Sequence, residues 1–174
     1  MSINARNTVS TEIKTEQIVG SPDMNPTDIA AAAQEAGLKD MTLPTCDVAE
    51  QPIETGSDAR CFAQYLRIHA LEVTGGLTYA QMGRFALASD PGDPKGTSND
   101  AEALKDEDGK PVSNGTRNTW ITATALATAL NVSYMAEQIA LFGLIVGIAL
   151  LLSGIGFIIL ALTVLGKHDK PATA

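Results

Sequence analysis

The sequence is poor in the residues that usually build an enzyme's site. Among 174 residues there are two histidines, His69 and His168, and two cysteines, Cys46 and Cys61. Nucleophilic or general-base catalysis draws on a His, Cys or carboxylate constellation gathered in a pocket. His168 lies in the C-terminal tail. His69 shares a helical face with Phe62 and Leu66, where a packed or hydrogen-bonded histidine is the plainer reading. The paired short spacings of a zinc site are missing, and Gly75-Gly76 comes with neither a GxGxxG nor a Walker pattern. The expectation is a protein that is not an enzyme, with no catalytic, cofactor-binding or metal-ligating residue.

Three further absences narrow the class. The chain has no cluster of Lys or Arg and a formal charge of −8, which lacks the electrostatic footprint of a nucleic-acid binder. Aromatics are few, at four Phe, three Tyr and one Trp. Much of the apolar content is Ala or lies in one C-terminal run, so a large soluble core is not expected and the helices should need partners. The first twenty residues hold no hydrophobic core of a secretory signal, because Arg6, Glu12, Lys14 and Glu16 break every apolar stretch. Two cysteines could pair in an oxidising space, but a chain without an export signal is expected to keep them as reduced thiols.

What is present is helical. Residues 1–57 read as an extended or disordered arm whose isolated apolar residues Ile13, Ile18, Val19 and Ile29 could dock on a partner. Within it, Asn25-Pro26-Thr27-Asp28 offers a cap, a first-turn proline and an acid at the positive helix end, predicting a short helix over 26–36. Residues 58–88 read as a helix with Ser57 as its cap, a hinge at Gly75 and Gly76, and a second helix restarted by the capping pair Thr78 and Gln81 toward Leu87. Residues 89–117, with Pro91, Pro94, Pro111 and the acidic run 100–108, read as a long, protease-sensitive surface loop.

Residues 118–166 carry the firmest signal. No proline occurs from Asn118 to Leu165 and no glycine precedes Gly143, so one helix can run the whole way. No charge lies between Glu137 and Lys167, and from about 139 the run exceeds the roughly 20 residues that cross a bilayer's hydrocarbon core. Steps of three and four along this helix connect Ala136, Ala140, Gly143, Gly147, Gly154 and Ala161, a row of small residues suited to close helix packing. The fold class expected is all-α, ending in a membrane-inserted helix that bundles with copies of itself. Lys167 and Lys170 would place the C-terminus in the cytoplasm by the positive-inside rule. With no export signal and a short tail, the N-terminal part is instead expected there.

The stretch Phe62-Ala-Gln-Tyr-Leu-Arg-Ile-His69-Ala-Leu-Glu-Val-Thr74-Gly75-Gly76-Leu-Thr78-Tyr79-Ala80-Gln81, with the apolar helix after it, resembles a group of small actinobacterial membrane proteins. That group often carries the label aromatic ring-opening dioxygenase, for which nothing in these residues gives support. The resemblance implies a helical membrane protein without assigned chemistry. Members of the group resemble one another in carrying a transmembrane helix before the shared region, where this chain has its arm. In plan the chain is also similar to the small stalk subunit of mycobacterial uptake nickel-iron hydrogenases. The function expected is a non-catalytic membrane scaffold, its partners being lipid, its own copies and a soluble protein such as a redox enzyme, with quinone passing inside the bundle. The competing expectation is a freestanding envelope protein with an exported domain and a Cys46–Cys61 disulfide.

Overall fold

The computed structural model describes residues 2–39 and 41–164. It is all-helical, with α1 (Ser2–Thr15), α2 (Pro26–Glu35), α3 (Gly56–Val73), one 3-10 turn at Tyr79–Gln81, and α4 (Gly115–Val164). Among the described residues there are isolated β-bridges but no strand. At about 1.5 Å per residue, the 50 residues of α4 make a rod of about 75 Å. The elements α1 to α3 and the following loop fold back on its first half and form a head.

The arm expected to be extended is folded instead. α1 packs on α4 and α3, with Ile13 buried beneath it, and α2 contributes Ile29, fully buried. Both lie in one core with Met24, Val48, Ile53, Tyr65, Ile68 and Leu130 of α4. Burial of an Ile is worth about 1.5–3 kcal/mol, which outweighs the weak helix preference of a Ser-, Thr- and Asn-rich segment. Ser10 donates to the Glu54 carbonyl at 2.9 Å and Lys14 pairs with Glu54 at 3.1 Å, closing the outer side of α1.

α2 forms as its sequence dictates. Asn25 caps it by accepting the amides of Thr27 and Asp28 at 3.1 and 3.0 Å, and Pro26 takes the first turn. α3 begins two residues earlier than Ser57 would allow: its cap is Thr55, whose hydroxyl accepts the Asp58 amide while the Asp58 carboxylate accepts the Thr55 amide. The helix ends at Thr74 with a Schellman pair, Gly76 N–H to Leu71 carbonyl at 2.7 Å and Gly75 N–H to Glu72 carbonyl at 3.1 Å. Gly75 and Gly76 both have positive φ, which glycine adopts without steric cost. Thr74 is fully buried and its hydroxyl bonds the Leu71 and Leu77 carbonyls.

The helix expected after Thr78 does not continue. Gln81 reaches back to the Thr78 amide, but only one 3-10 turn forms. The chain must then run beside residues 95–97, where Gly83 lies so close to Thr97 that a Cβ would sit 2.3 Å from its carbonyl carbon. The loop expected to be loose is laced by bridges that pair Phe85 with Thr97 and Ser113, Leu87 with Ala103, and Lys105 with Pro111. Asn114, buried, fastens it to α4: its side-chain amide donates to the Gly83 and Pro94 carbonyls, and its oxygen accepts the Thr116 and Arg117 amides. The helix therefore starts at Gly115, three residues before Asn118.

The cysteines expected to be reduced are joined. Cys46 and Cys61 form a disulfide with Cα atoms 6.1 Å apart, tying the segment between α2 and α3 to the first turns of α3. Tyr65, one turn along, donates its hydroxyl to the Cys46 carbonyl. The two cysteines meet because the chain after α2 returns antiparallel past the buried face of α3, a long-range path invisible in their spacing.

Candidate functional site

The residues with unusual surroundings gather where the head meets α4. α4 has two charged residues, Arg117 and Glu137, and both are engaged by the head. Arg117 lies over the Tyr79 ring with its guanidinium carbon 3.8 Å from the centroid, an arrangement that attracts a cation to the ring face. Glu137 accepts the Arg6 guanidinium at 2.9 Å through one carboxylate oxygen and the Gly56 amide at 2.9 Å through the other. Gly56 opens α3, so the carboxylate also faces a positive helix end. Its side chain is 13% exposed against 50% for Arg6, so the pair is partly wet and its Coulomb attraction is screened.

The closeness of this junction requires glycine. A Cβ on Gly56 would lie 2.5 Å from the Glu137 carboxylate and 2.9 Å from the Tyr134 Cα. A cavity of about 270 Å³ opens beside it, lined by Arg6, Asn7, Ser10, Thr55, Gly56, Glu137 and Leu144. Farther from the apolar end, α3 runs antiparallel to α4 and lays Arg60 over the Tyr134 ring at 4.9 Å and Arg67 over the Trp120 ring at 5.4 Å. Tyr134 is half-buried under Arg60.

Past the junction nothing covers the helix. Every residue from Leu141 to Val164 is exposed, in a segment long and apolar enough to cross a membrane. Of the small-residue row, Ala140 is buried and Ala136 half-buried at the head, whereas Gly143, Gly147, Gly154 and Ala161 lie bare, with nothing within 4 Å of a Cβ placed on any of the three glycines. Of the four apolar residues expected to dock on a partner, Ile13 and Ile29 are inside the core, Ile18 packs against it, and Val19 alone is exposed.

His69 sits 3.0 Å from Asp23 through its Nε2, linking α3 to the turn before α2. Ser21, donating to the Asp23 carboxylate at 2.6 Å, and the nearby imidazole hold Asp23 below the usual carboxylate range. Burial, with the Asp47 charge nearby, pushes the Tyr65 hydroxyl up. Among the described residues no three His, Cys, Asp or Glu side chains come together to hold a metal. Comparison with family models, curated proteins and solved structures returns no match.

Glu137, Arg6, Gly56 and Asn114 were not singled out by sequence reasoning. The signal for Glu137 was present: it is the last charge before the apolar run and the lone acid on α4. A carboxylate in that place, at the edge of a long apolar run, needs a partner.

Proposed function

We propose that this chain is a single-pass membrane protein that holds its head against the bilayer surface on the oxidising side and works by assembly rather than by chemistry. The observation that carries the reading is the Cys46–Cys61 disulfide in a head that runs directly into a bare apolar helix. Disulfides persist in oxidising compartments and are rare in the cytosol. Lys167 and Lys170, beyond the apolar run, agree with a cytoplasmic tail by the positive-inside rule. The expectation of a cytoplasmic arm is replaced by this orientation. With Ile13 and Ile29 buried in the core, a soluble redox partner gripped by a loose arm loses its support.

Thiol trapping and protease protection test the reading. In intact cells treated with a membrane-permeant maleimide, Cys46 and Cys61 stay unlabelled until a reductant is added, and protease added to spheroplasts digests the head. Immediate labelling of both thiols together with a protease-resistant head would overturn the orientation. Recovery of the chain in the soluble fraction would overturn membrane insertion.

A further inference from the structure

The head covers one side of α4 and leaves the opposite side bare well above the apolar run. On that side Ile121, Thr128, Met135 and Phe142 recur every seven residues, and Ala125, Val132 and Ile139 fall four beyond the first three of them. All seven are exposed, with Val132 at 51%, Met135 at 53%, Ile139 at 62% and Phe142 at 68%. This stripe lies one position away from the row of small residues, which, continued back by one step of three from Ala136 to Ser133, turns partly under the head at Ser133, Ala136 and Ala140. At its upper end an open apolar recess of about 610 Å³ runs along Tyr79, Trp120, Ile121, Ala125 and Thr128.

We propose that this stripe, not the small-residue row, is where a second copy of the chain packs, parallel and in register. Three observations select a copy of itself as occupant. The first is the period: a seven-residue repeat drifts about 20° per heptad around a straight helix, and a supercoil with a partner helix of the same repeat removes the drift. The second is direction. Resting on the single-pass reading above, every copy enters the bilayer the same way and to the same depth, so each residue of the stripe faces its own counterpart. The third is charge: the positions flanking the stripe are Thr124, Asn131 and Gln138 on one side and Ala129, Ala136 and Gly143 on the other. Glu137 is held on the head side by Arg6, and Arg117, one heptad before Thr124 at the upper edge of the stripe, is stacked on the Tyr79 ring, so no charge lies on the stripe itself. The row continues through Val146 and Ala149 into the apolar segment, carrying the same contact into the membrane.

Cysteine crosslinking of the full chain in native membranes tests the contact. Cys46 and Cys61 are already paired, so an introduced cysteine is the free thiol. With copper-phenanthroline, Val132→Cys and, independently, Met135→Cys shift the chain from the monomer to the dimer band on non-reducing gels. Ser133→Cys, on the small-residue row, leaves it monomeric. Retention of the Cys46–Cys61 bond, read by alkylation, shows that each variant has folded. A dimer from Ser133→Cys and none from Val132→Cys or Met135→Cys would move the contact to the small-residue row and overturn the proposal. No dimer from any variant, in chains that stay in the membrane after alkaline carbonate extraction, would overturn it while leaving the single-pass reading intact. Extraction of the wild-type chain by carbonate would instead defeat the single-pass reading and the parallel packing with it.

Discussion

Glu137 of α4 accepts the backbone amide of Gly56 at 2.9 Å, and this bond sets the first turn of α3 on the stem at the last charged position before the apolar segment. Arg6 meets the same carboxylate from α1, so one side chain gathers three helices. Substitution Glu137→Ala leaves a helix-terminal amide and a guanidinium without their acceptor. Hydrogen bonds to a charged group contribute about 1.5–3 kcal/mol, and the half-exposed Arg6 adds little beyond that. The expected outcome is a loss of about 2 kcal/mol in the detergent-solubilised chain, measured by thermal or denaturant unfolding, with faster proteolysis of α1.

Reduction of Cys46–Cys61 acts on the unfolded chain more than on the folded one. The bond closes a loop with a sequence separation of 15, for which the chain-entropy model gives about 3 kcal/mol. The double variant Cys46→Ser, Cys61→Ser is expected to unfold at lower temperature than wild type, and dithiothreitol to lower the wild type's transition to match. A reductant-insensitive wild type would show that the bond does not form.

Asn114 joins the bridged loop to the start of α4 through four hydrogen bonds. Loss of a helix cap costs about 0.5–2 kcal/mol, and here the Gly83 and Pro94 carbonyls also lose their donor. Asn114→Ala is expected to sit at or above the upper end of that range, and to expose the loop at residues 89–113 to trypsin, which cleaves after Lys95 and Lys105. Trypsin digestion with mass spectrometry of the fragments measures both effects.

Asp23 has a carboxyl held below its ordinary range by the Ser21 hydroxyl and by His69. A group whose folded pKa is depressed contributes stability that is present above the unfolded value, near 3.9, and disappears as the pH falls through the folded value. Melting temperatures measured from pH 6 to pH 2 are expected to show wild type above Asp23→Asn at the upper end, with the two curves converging below the usual carboxylate range. The exposed position of the carboxylate makes the difference small and sensitive to salt.

α2, α3 and α4 were legible because their signals are local. Asn25-Pro26 writes a cap and a first turn, Phe62 and Tyr65 mark a buried helical face, and the stretch after Asn118 contains nothing that stops a helix. α1 was hidden because its helix depends on contacts distant in sequence: Ile13 on the core and Arg6 on Glu137. The disulfide was hidden for the same reason, since only the return of the chain after α2 brings Cys46 to Cys61. At Thr78 the local signal misled: Gln81 makes its expected bond, but the close pass of Gly83 by Thr97 turns the backbone away after three residues. The junction at Glu137 was half legible, as a charge that needed a partner whose identity only the fold supplies.

No glycine or proline interrupts α4 between Thr116 and Phe142, and the head is packed along that rigid half by Trp120, Leu130 and Ala140. In the proposed single-pass arrangement the helix is a lever with its fulcrum at the bilayer surface. Membrane helices tilt by about 20° on average, and over the roughly 39 Å from Gly115 to Ala140, at about 1.5 Å per residue, such a tilt carries the far end of the head sideways by about 13 Å. In that arrangement bilayer thickness, one of the influences on tilt, would be read out as the lateral position of the bridged loop.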